Sequence, residues 1–375
     1  MRVALIAEDY YPQLGGIPEH VHNLALQLTA RGHLVTVVSS HMSGEDAEAS
    51  RYPYAVRRIG TSVVIYANGG VSRVTVGRRL RRRLEELLRE GAFDLAHVHG
   101  GLAPTFGALM PLVTARVGIP LVATFHSWFP RSVCYRLFRR QFRRLLNLHA
   151  ANIAVSQPVA DAHARYWTAS WEIIPNGVDV EYFHPDGRQF SAPPAAGPRL
   201  LYMHRLEPRN HLETLLAAMP AILARYPDAT LTVAGHGPWG RYYAWRSRSL
   251  GSSVRFLGRV EGRPEHYRRA DLYLCPTMRA GFGITLLEAM ACGTPMIVAD
   301  NVGFRTVVDE GREALVVPHN APAAWAEATI GLMDDPAHRE AMSHAGRAKA
   351  LRYAWPLVTQ RILEVYERVL RRGAQ

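Results

Sequence analysis

Between Met278 and Asp300 the chain reads MRAGFGITLLEAMACGTPMIVAD, a loop broken by Gly281 and Gly283 that opens onto an apolar segment carrying one acid, Glu288. A short apolar run, Leu272 to Cys275, precedes it, so the local order is strand, tight turn and buried helix. On a helix that is apolar nearly all round, a lone carboxylate is costly to bury without a hydrogen-bonding partner. The glycines let a ligand approach the backbone, and the N–H groups of the first helical turn, about Ile284 and Thr285, suit a phosphate. A nucleotide meets both demands, with its phosphates on the helix start and its ribose hydroxyls on Glu288. The plainer reading is a core helix whose Glu288 caps a neighbouring loop.

Three other places combine reactive side chains with a strand end or a glycine turn. EDYYPQLGGIPEHVHNL sets Gly15 and Gly16 between a strand and a helix beginning near Pro18, where adjacent glycines either admit a diphosphate or make a tight turn. TFH, Thr124 to His126, ends a strand in a histidine. A lone histidine is more often a satisfied structural group, but the carboxyl end of a strand is where ligands of α/β sheets bind. VGRRLRRRLEELLREG, from Val76, sets Arg78, Arg79, Arg81, Arg82, Arg83 and Arg89 beside Leu80, Leu84, Leu87 and Leu88. Such a helix either lies on an anionic bilayer or turns its leucines to the core and its arginines to water.

Parallel strands must position these groups. Short β-branched runs at 3–7, 34–38, 95–98, 121–125 and 153–155, then at 200–203, 230–234, 254–257, 272–275, 296–298 and 315–317, alternate with helical patterns. SAPPAAGPR, 191–199, continues neither element. The expected fold is therefore α/β, with two doubly wound, Rossmann-like domains, 1–190 and 198–354, facing a cleft lined by strand-end loops. The last segment, 355–375, is an amphipathic helix with Leu357, Ile362, Val365 and Leu370 near helical spacing.

Composition narrows the partners. The chain of 375 residues is long enough for two cores, and its net charge of +12 favours polyanions: nucleic acid, anionic lipid or phosphorylated small molecules. The arginines gather on one helix with no aromatic-interleaved basic stripe, which argues against nucleic acid. Cys134, Cys275 and Cys292 have no paired-ligand spacing, so neither a zinc site nor a disulfide framework is expected. The opening MRVALIAEDYY reads as a buried strand rather than a signal peptide, and no run approaches a membrane span. The expected location is cytoplasmic, extending to the inner face of the cytoplasmic membrane.

The segment around Glu288 resembles the donor-binding motif of the family 4 retaining glycosyltransferases, which have the GT-B fold. Phe282, Gly283 and Glu288 match that motif, while Ala280 stands where the family has a first glutamate that touches the donor sugar. The order strand, Gly-Gly, His20, helix resembles the family's N-terminal signature. MHRLEPRNHLETLL resembles its diphosphate-binding segment: Arg205 matches, Asn210 holds the place of a lysine, and Arg209 beside it is a second charge. AGHGPWG with Gly235, LGRV with Val260 as a base-contacting position, and PNGVD fall in the family's order. The resemblance implies that His126 hydrogen-bonds the donor sugar, that Arg205 stabilises the leaving diphosphate, and that the terminal helix returns to the first domain. It implies a GDP- or UDP-sugar donor and no required metal.

Within that family, ANGGVSRVTV, with Asn68 and Arg73, resembles a loop of the phosphatidylinositol mannosyltransferases that handles the lipid acceptor together with a basic helix, here Arg78, Arg79, Arg82 and Arg83. Pro18 departs from that subgroup, since a hydrogen-bonding side chain is expected there. The expectation is a membrane-surface hexosyltransferase moving mannose to an inositol-type or other anionic lipid. A transferase for a soluble acceptor and a weakly catalytic nucleotide-sugar-binding protein are the alternatives. Oligomeric state is not legible.

Overall fold

Buried β-branched runs make the strands, and their cross-connections set the layers. The computed structural model describes residues 1–13, 15–42, 52–67, 70–102, 105–186 and 197–373. It divides into two compact units, Met1–Gly177 with Trp355–Gln375, and Val178–Ala354. In the first, β1 (Arg2–Ala7), β2 (Leu34–His41), β3 (Ala55–Ala67), β4 (Gly70–Val76), β5 (Leu95–Gly100), β6 (Leu121–Phe125), β7 (Ala151–Ala154) and β8 (Glu172–Ile173) form one sheet. Its order is β4-β3-β2-β1-β5-β6-β7-β8, parallel except for the β3–β4 hairpin. In the second, β9 (Arg199–Met203), β10 (Thr230–Ala234), β11 (Val254–Gly258), β12 (Leu272–Cys275), β13 (Met296–Ala299) and β14 (Ala314–Val317) lie in the order β11-β10-β9-β12-β13-β14, all parallel.

Each order reverses once, between β1 and β5 and again between β9 and β12. At such a reversal the crossover connections leave on opposite faces, so neighbouring strand ends are uncovered and available to a ligand. A cavity of about 890 Å³ lined by Arg2, His33, Arg57, Arg83 and Phe93 opens at the opposite, amino-terminal edge of the first sheet, away from those strand ends.

Three features differ from the expectation. The units divide after Gly177 rather than near 190, because Val178 bridges to Ala354 and Arg347 donates to the carbonyls of Val180 and Phe183, tying this stretch to the second unit. The β3–β4 hairpin was not among the expected strands, although the apolar run Val63 to Ala67 followed by Asn68-Gly69 is a hairpin signal in the sequence. The terminal helix, Trp355–Gly373, belongs to the first unit but buries Trp355, Val358, Ile362, Val365, Tyr366 and Val369, while Leu357 is 55% exposed.

That helix is keyed by its first residue. A Cβ on Gly177 would lie 2.6 Å from the Trp355 indole, whose rigid body cannot yield as a flexible chain end would. Gly177→Ala is therefore expected to overpack the joint and cost about 1–3 kcal/mol of stability. A thermal melt checks it, and an unchanged midpoint would show that the indole shifts freely.

Candidate active site

In the second unit the loops that follow β9, β10, β11 and β12 are fastened to one another. His204, after β9, lies with Nε2 2.8 Å from the Tyr273 hydroxyl, 3.0 Å from Cys275 Sγ and 3.4 Å from Thr285 Oγ1. The Leu206 N–H donates to the His236 carbonyl, and the Gly235 N–H donates to the Gly258 carbonyl. Gly235, at φ +144°, leaves no room for a side chain: a Cβ would sit 1.9 Å from the His204 carbonyl oxygen. Val260, partly buried, stands two residues beyond β11.

Two guanidinium groups flank one buried carboxylate in this nest. Glu207 is 1% exposed and pairs with Arg205 Nη2 at 3.2 Å and Arg209 Nε at 3.0 Å, while both arginines stay about one-third exposed. The trio carries a net positive charge and presents two pre-oriented cations to an anion. Glu207, which holds them, was missed because a surface-type E-P-R-N run gives no sign that its acid is buried.

Asn210, at the lysine position, is bonded within the loop. Its Nδ2 donates to the Arg205 carbonyl at 2.7 Å and its Oδ1 accepts from Thr277 Oγ1 at 3.2 Å, so it braces the loop from inside. Phe282 is likewise an anchor, buried and 6.0 Å from the Tyr353 ring.

After Gly283 begins the helix Ile284–Ala291, whose own ladder starts with Leu286 and Leu287 donating to the Gly283 carbonyl. The N–H groups of Ile284 and Thr285 lie ahead of that ladder, and both residues are partly exposed while the rest of the helix is buried. Glu288 is 2% exposed. Its partner is found inside the protein: Arg263 Nη1 donates at 2.8 Å and the Tyr267 hydroxyl at 2.9 Å. Burial of Glu288 by itself thus no longer calls for a nucleotide. The pairing was invisible in sequence because Arg263 and Tyr267 lie more than twenty residues upstream on another helix, Arg263–Arg269.

In the first unit, Gly15 caps the helix Gly16–Ala30, and His20 on that helix meets His99 from β5 and His126 after β6. His20 Nδ1 lies 2.8 Å from Asn176 Oδ1, which makes it the donor, and His99 Nδ1 lies 3.4 Å from His126 Nε2. Nitrogens of His20, His99 and His126 fall within 4.8 Å of one another, a spacing open to a metal ion as well as to imidazole hydrogen bonding. His97 alongside is fully engaged, with Tyr366 at 2.6 Å and Thr124 at 2.7 Å. His99 was overlooked, although the H-x-H spacing of LAHVHG puts both histidines on one face of a strand.

The basic helix is Leu80–Gly91, and its Leu80, Leu84 and Leu88 are buried. Arg81 and Arg82 pair with Glu85 and Glu86 one turn on, and Arg78, Arg79 and Arg83 are exposed. Its apolar stripe is therefore spent on the core and cannot enter a bilayer, a correction to half of the membrane expectation. Arg73 donates to Ser62 Oγ across the hairpin at 3.1 Å, and Asn68 lies outside the described residues. Among the described residues no helix is long and apolar enough to cross a membrane.

Two doubly wound sheets, glycine loops at both order reversals and a paired-arginine nest define a glycosyltransferase of the GT-B fold. Residues 14–182 match the model for Glycosyltransferase Family 4 and residues 197–335 that for Glycosyl transferases group 1, and the chain belongs to this family. It is 33% identical over 383 residues to a phosphatidyl-myo-inositol mannosyltransferase of Mycobacterium tuberculosis, an alignment covering 100% of this chain and 99% of that protein. A GDP-mannose-dependent alpha-(1-6)-phosphatidylinositol monomannoside mannosyltransferase of Mycolicibacterium smegmatis is 28% identical, with 96% and 97% covered. Among solved structures, Anabaena HepE in complex with UDP superposes with a TM-score of 0.79 at 18% identity, covering 98% of this chain and 100% of that one.

The imidazoles make stability depend on pH. Burial lowers His20, His149, His163 and His204 to about 4, and burial with neighbouring imidazoles holds His97, His99 and His126 well below 6.5. The unfolded chain then binds more protons, so stability is full above about 6.5 and is lost as pH falls from there towards 4. Each such histidine adds to the loss across that window. Urea midpoints compared at about pH 7.5 and about pH 5 should drop steeply on the acid side; equal midpoints would mean the rings are solvated.

Proposed function

We propose that the protein transfers mannose, with retention, from a nucleoside diphosphate sugar to a hydroxyl of an inositol-type or other anionic lipid at a membrane surface. The observation that carries the donor part is the nest at the β9–β12 reversal, where Arg205 and Arg209 share the buried Glu207. In this reading the two arginines and the amino end of Ile284–Ala291 hold the diphosphate, and Glu288 takes the ribose hydroxyls alongside its bonds to Arg263 and Tyr267. Gly15 and Gly16 give the diphosphate backbone access, and His126 hydrogen-bonds the donor sugar. The acceptor hydroxyl attacks the anomeric carbon as the bond to the diphosphate oxygen breaks, and its proton passes to the departing phosphate. Growing charge on that phosphate is what Arg205 stabilises.

The mannose and inositol-lipid parts rest on the relatives' names, and Asn68, Arg73, Arg78, Arg79, Arg82 and Arg83 are the acceptor-side residues in that reading. A soluble acceptor is favoured by one observation, the inward leucines of Leu80–Gly91. Radiolabelled GDP- and UDP-sugars offered with phosphatidylinositol or with a soluble inositol phosphate decide between them. Label in lipid from GDP-mannose is expected; label only in the soluble product would replace the lipid reading.

Four substitutions test the roles. Arg205→Ala should lower kcat about 100-fold, as loss of a transition-state contact does; a raised donor KM at normal kcat would make it a ground-state contact. Tyr267→Phe should cost stability of about 1 kcal/mol with nucleotide affinity kept, whereas Glu288→Gln should weaken GDP and UDP in calorimetry. Unchanged affinity in the second variant would leave Glu288 a structural residue. Ala280→Glu should lower activity by setting a carboxylate without a hydroxyl partner in a partly buried loop, and a clear gain would show that only decay separates this pocket from the family's.

A further inference from the structure

The segment that follows His126 carries a surface of a different kind. Two helices, Val133–Leu137 and Arg139–Leu146, are pinned from beneath by Tyr135 and Phe142. The Tyr135 ring lies among Phe129, Phe142, Tyr166 and Trp167 at 4.9–5.8 Å. The backbone is held as well, since the Ser132 N–H donates to the Tyr166 hydroxyl, Trp167 Nε1 to the Arg139 carbonyl, and Arg139 Nε to the Tyr166 carbonyl. With these aromatic residues satisfying the core, Val133, Leu137, Phe138 and Leu148 are left outside, 64%, 68%, 50% and 41% exposed. Large apolar side chains left exposed on firmly held helices mark a contact site rather than a fraying end.

Charge says what the contact is. Arg131, Arg136, Arg140, Arg143 and Arg144 are all exposed around this apolar group, and among the described residues none has an acidic partner. The sequence contains no aspartate or glutamate between Asp94 and Asp161. The contrast with Leu80–Gly91 is direct: there the leucines are buried and two arginines are neutralised by glutamates of the same helix. Apolar wedges ringed by unpaired cations are what an anionic bilayer surface selects, the arginines meeting headgroups while the apolar side chains enter the acyl boundary.

We infer that the surface formed by Val133, Leu137, Phe138 and Leu148 with the five arginines docks the protein onto an anionic phospholipid leaflet. The first of the two helices begins seven residues after His126, so this surface lies on the segment that leaves that strand end. The inference rests on the lipid-acceptor reading and names the surface that reading needs.

The protein supplies its own probe. Cys134 lies on this surface and is exposed, whereas Cys275 and Cys292 are buried, so a polarity-sensitive thiol dye labels the site selectively. With phosphatidylcholine vesicles containing phosphatidylinositol, the dye should shift to the blue and the full chain should co-float, and both effects should be absent with phosphatidylcholine alone. Val133→Ser, Leu137→Gln and Phe138→Ser together should cut flotation at least tenfold, and each of Arg136→Gln, Arg140→Gln, Arg143→Gln and Arg144→Gln about fivefold. Thermal melts and GDP or UDP calorimetry should stay unchanged, because these side chains are solvated. Normal flotation of the triple variant, or a silent dye on protein that floats, would overturn this surface and leave the lipid acceptor standing. If the unmodified chain does not float, transfer to phosphatidylinositol in detergent micelles separates the cases: label there condemns the surface alone, and no label condemns both. Conversion of an oligomer to monomers by the triple variant, seen by sedimentation without lipid, would reassign the patch to self-association.

Discussion

A parallel sheet must send every connection over one face or the other, and wherever that direction changes, two adjacent strand ends stand without cover. Both sheets of this protein contain one such change. Around β9 and β12 the uncovered ends would expose backbone polar groups, and they are satisfied by loop-to-loop bonds that run through His204, Gly235 and Asn210. The glycines follow from the same constraint, since loops fastened this closely leave no volume for a Cβ. The cationic character of the nest is then a by-product of geometry that the fold needs in any case, sharpened by setting Glu207 between two arginines.

The two units use opposite electrostatic strategies. Val178–Ala354 concentrates ionised groups, with Arg205, Arg209 and Glu207 at one loop and Arg263 with Glu288 at another. Met1–Gly177 gathers imidazoles that burial keeps neutral, so the neighbourhood of His126 offers hydrogen bonds without fixed charge. A sugar, rich in hydroxyls and uncharged, is suited to the second environment, and a diphosphate to the first.

How much could be read in advance followed from locality. The parallel strands were legible because burial on both faces writes an unbroken apolar run, and the glycine loop leading into Ile284–Ala291 because its glycines, helix start and acid sit within a dozen residues. What could not be read was the partner of each buried charge. Glu288 was rightly identified as needing a counterpart, but Arg263 and Tyr267 come from a separate helix, and Glu207 reveals its burial only when the loops close over it. The terminal helix shows another limit: its apolar stripe was visible, yet Leu357 and Val358 compete for the same face, and only the packing of Trp355 decides the rotation. For Leu80–Gly91 the pattern itself was ambiguous, since one stripe of leucines serves a core or a membrane equally well.

Gly177 and Trp355 bound the second unit, and just inside them Val178 and Ala354 pair as a β-bridge. Topologically, the second unit is a parenthesis within the first, whose opening and closing marks touch. Such an arrangement adds little loop-closure entropy to the host, because the inserted stretch returns the chain to the point where it left. It also makes the second sheet a transplantable module: Val178–Ala354 is exchangeable between relatives as one contiguous stretch, leaving the imidazole cluster and its closing helix untouched.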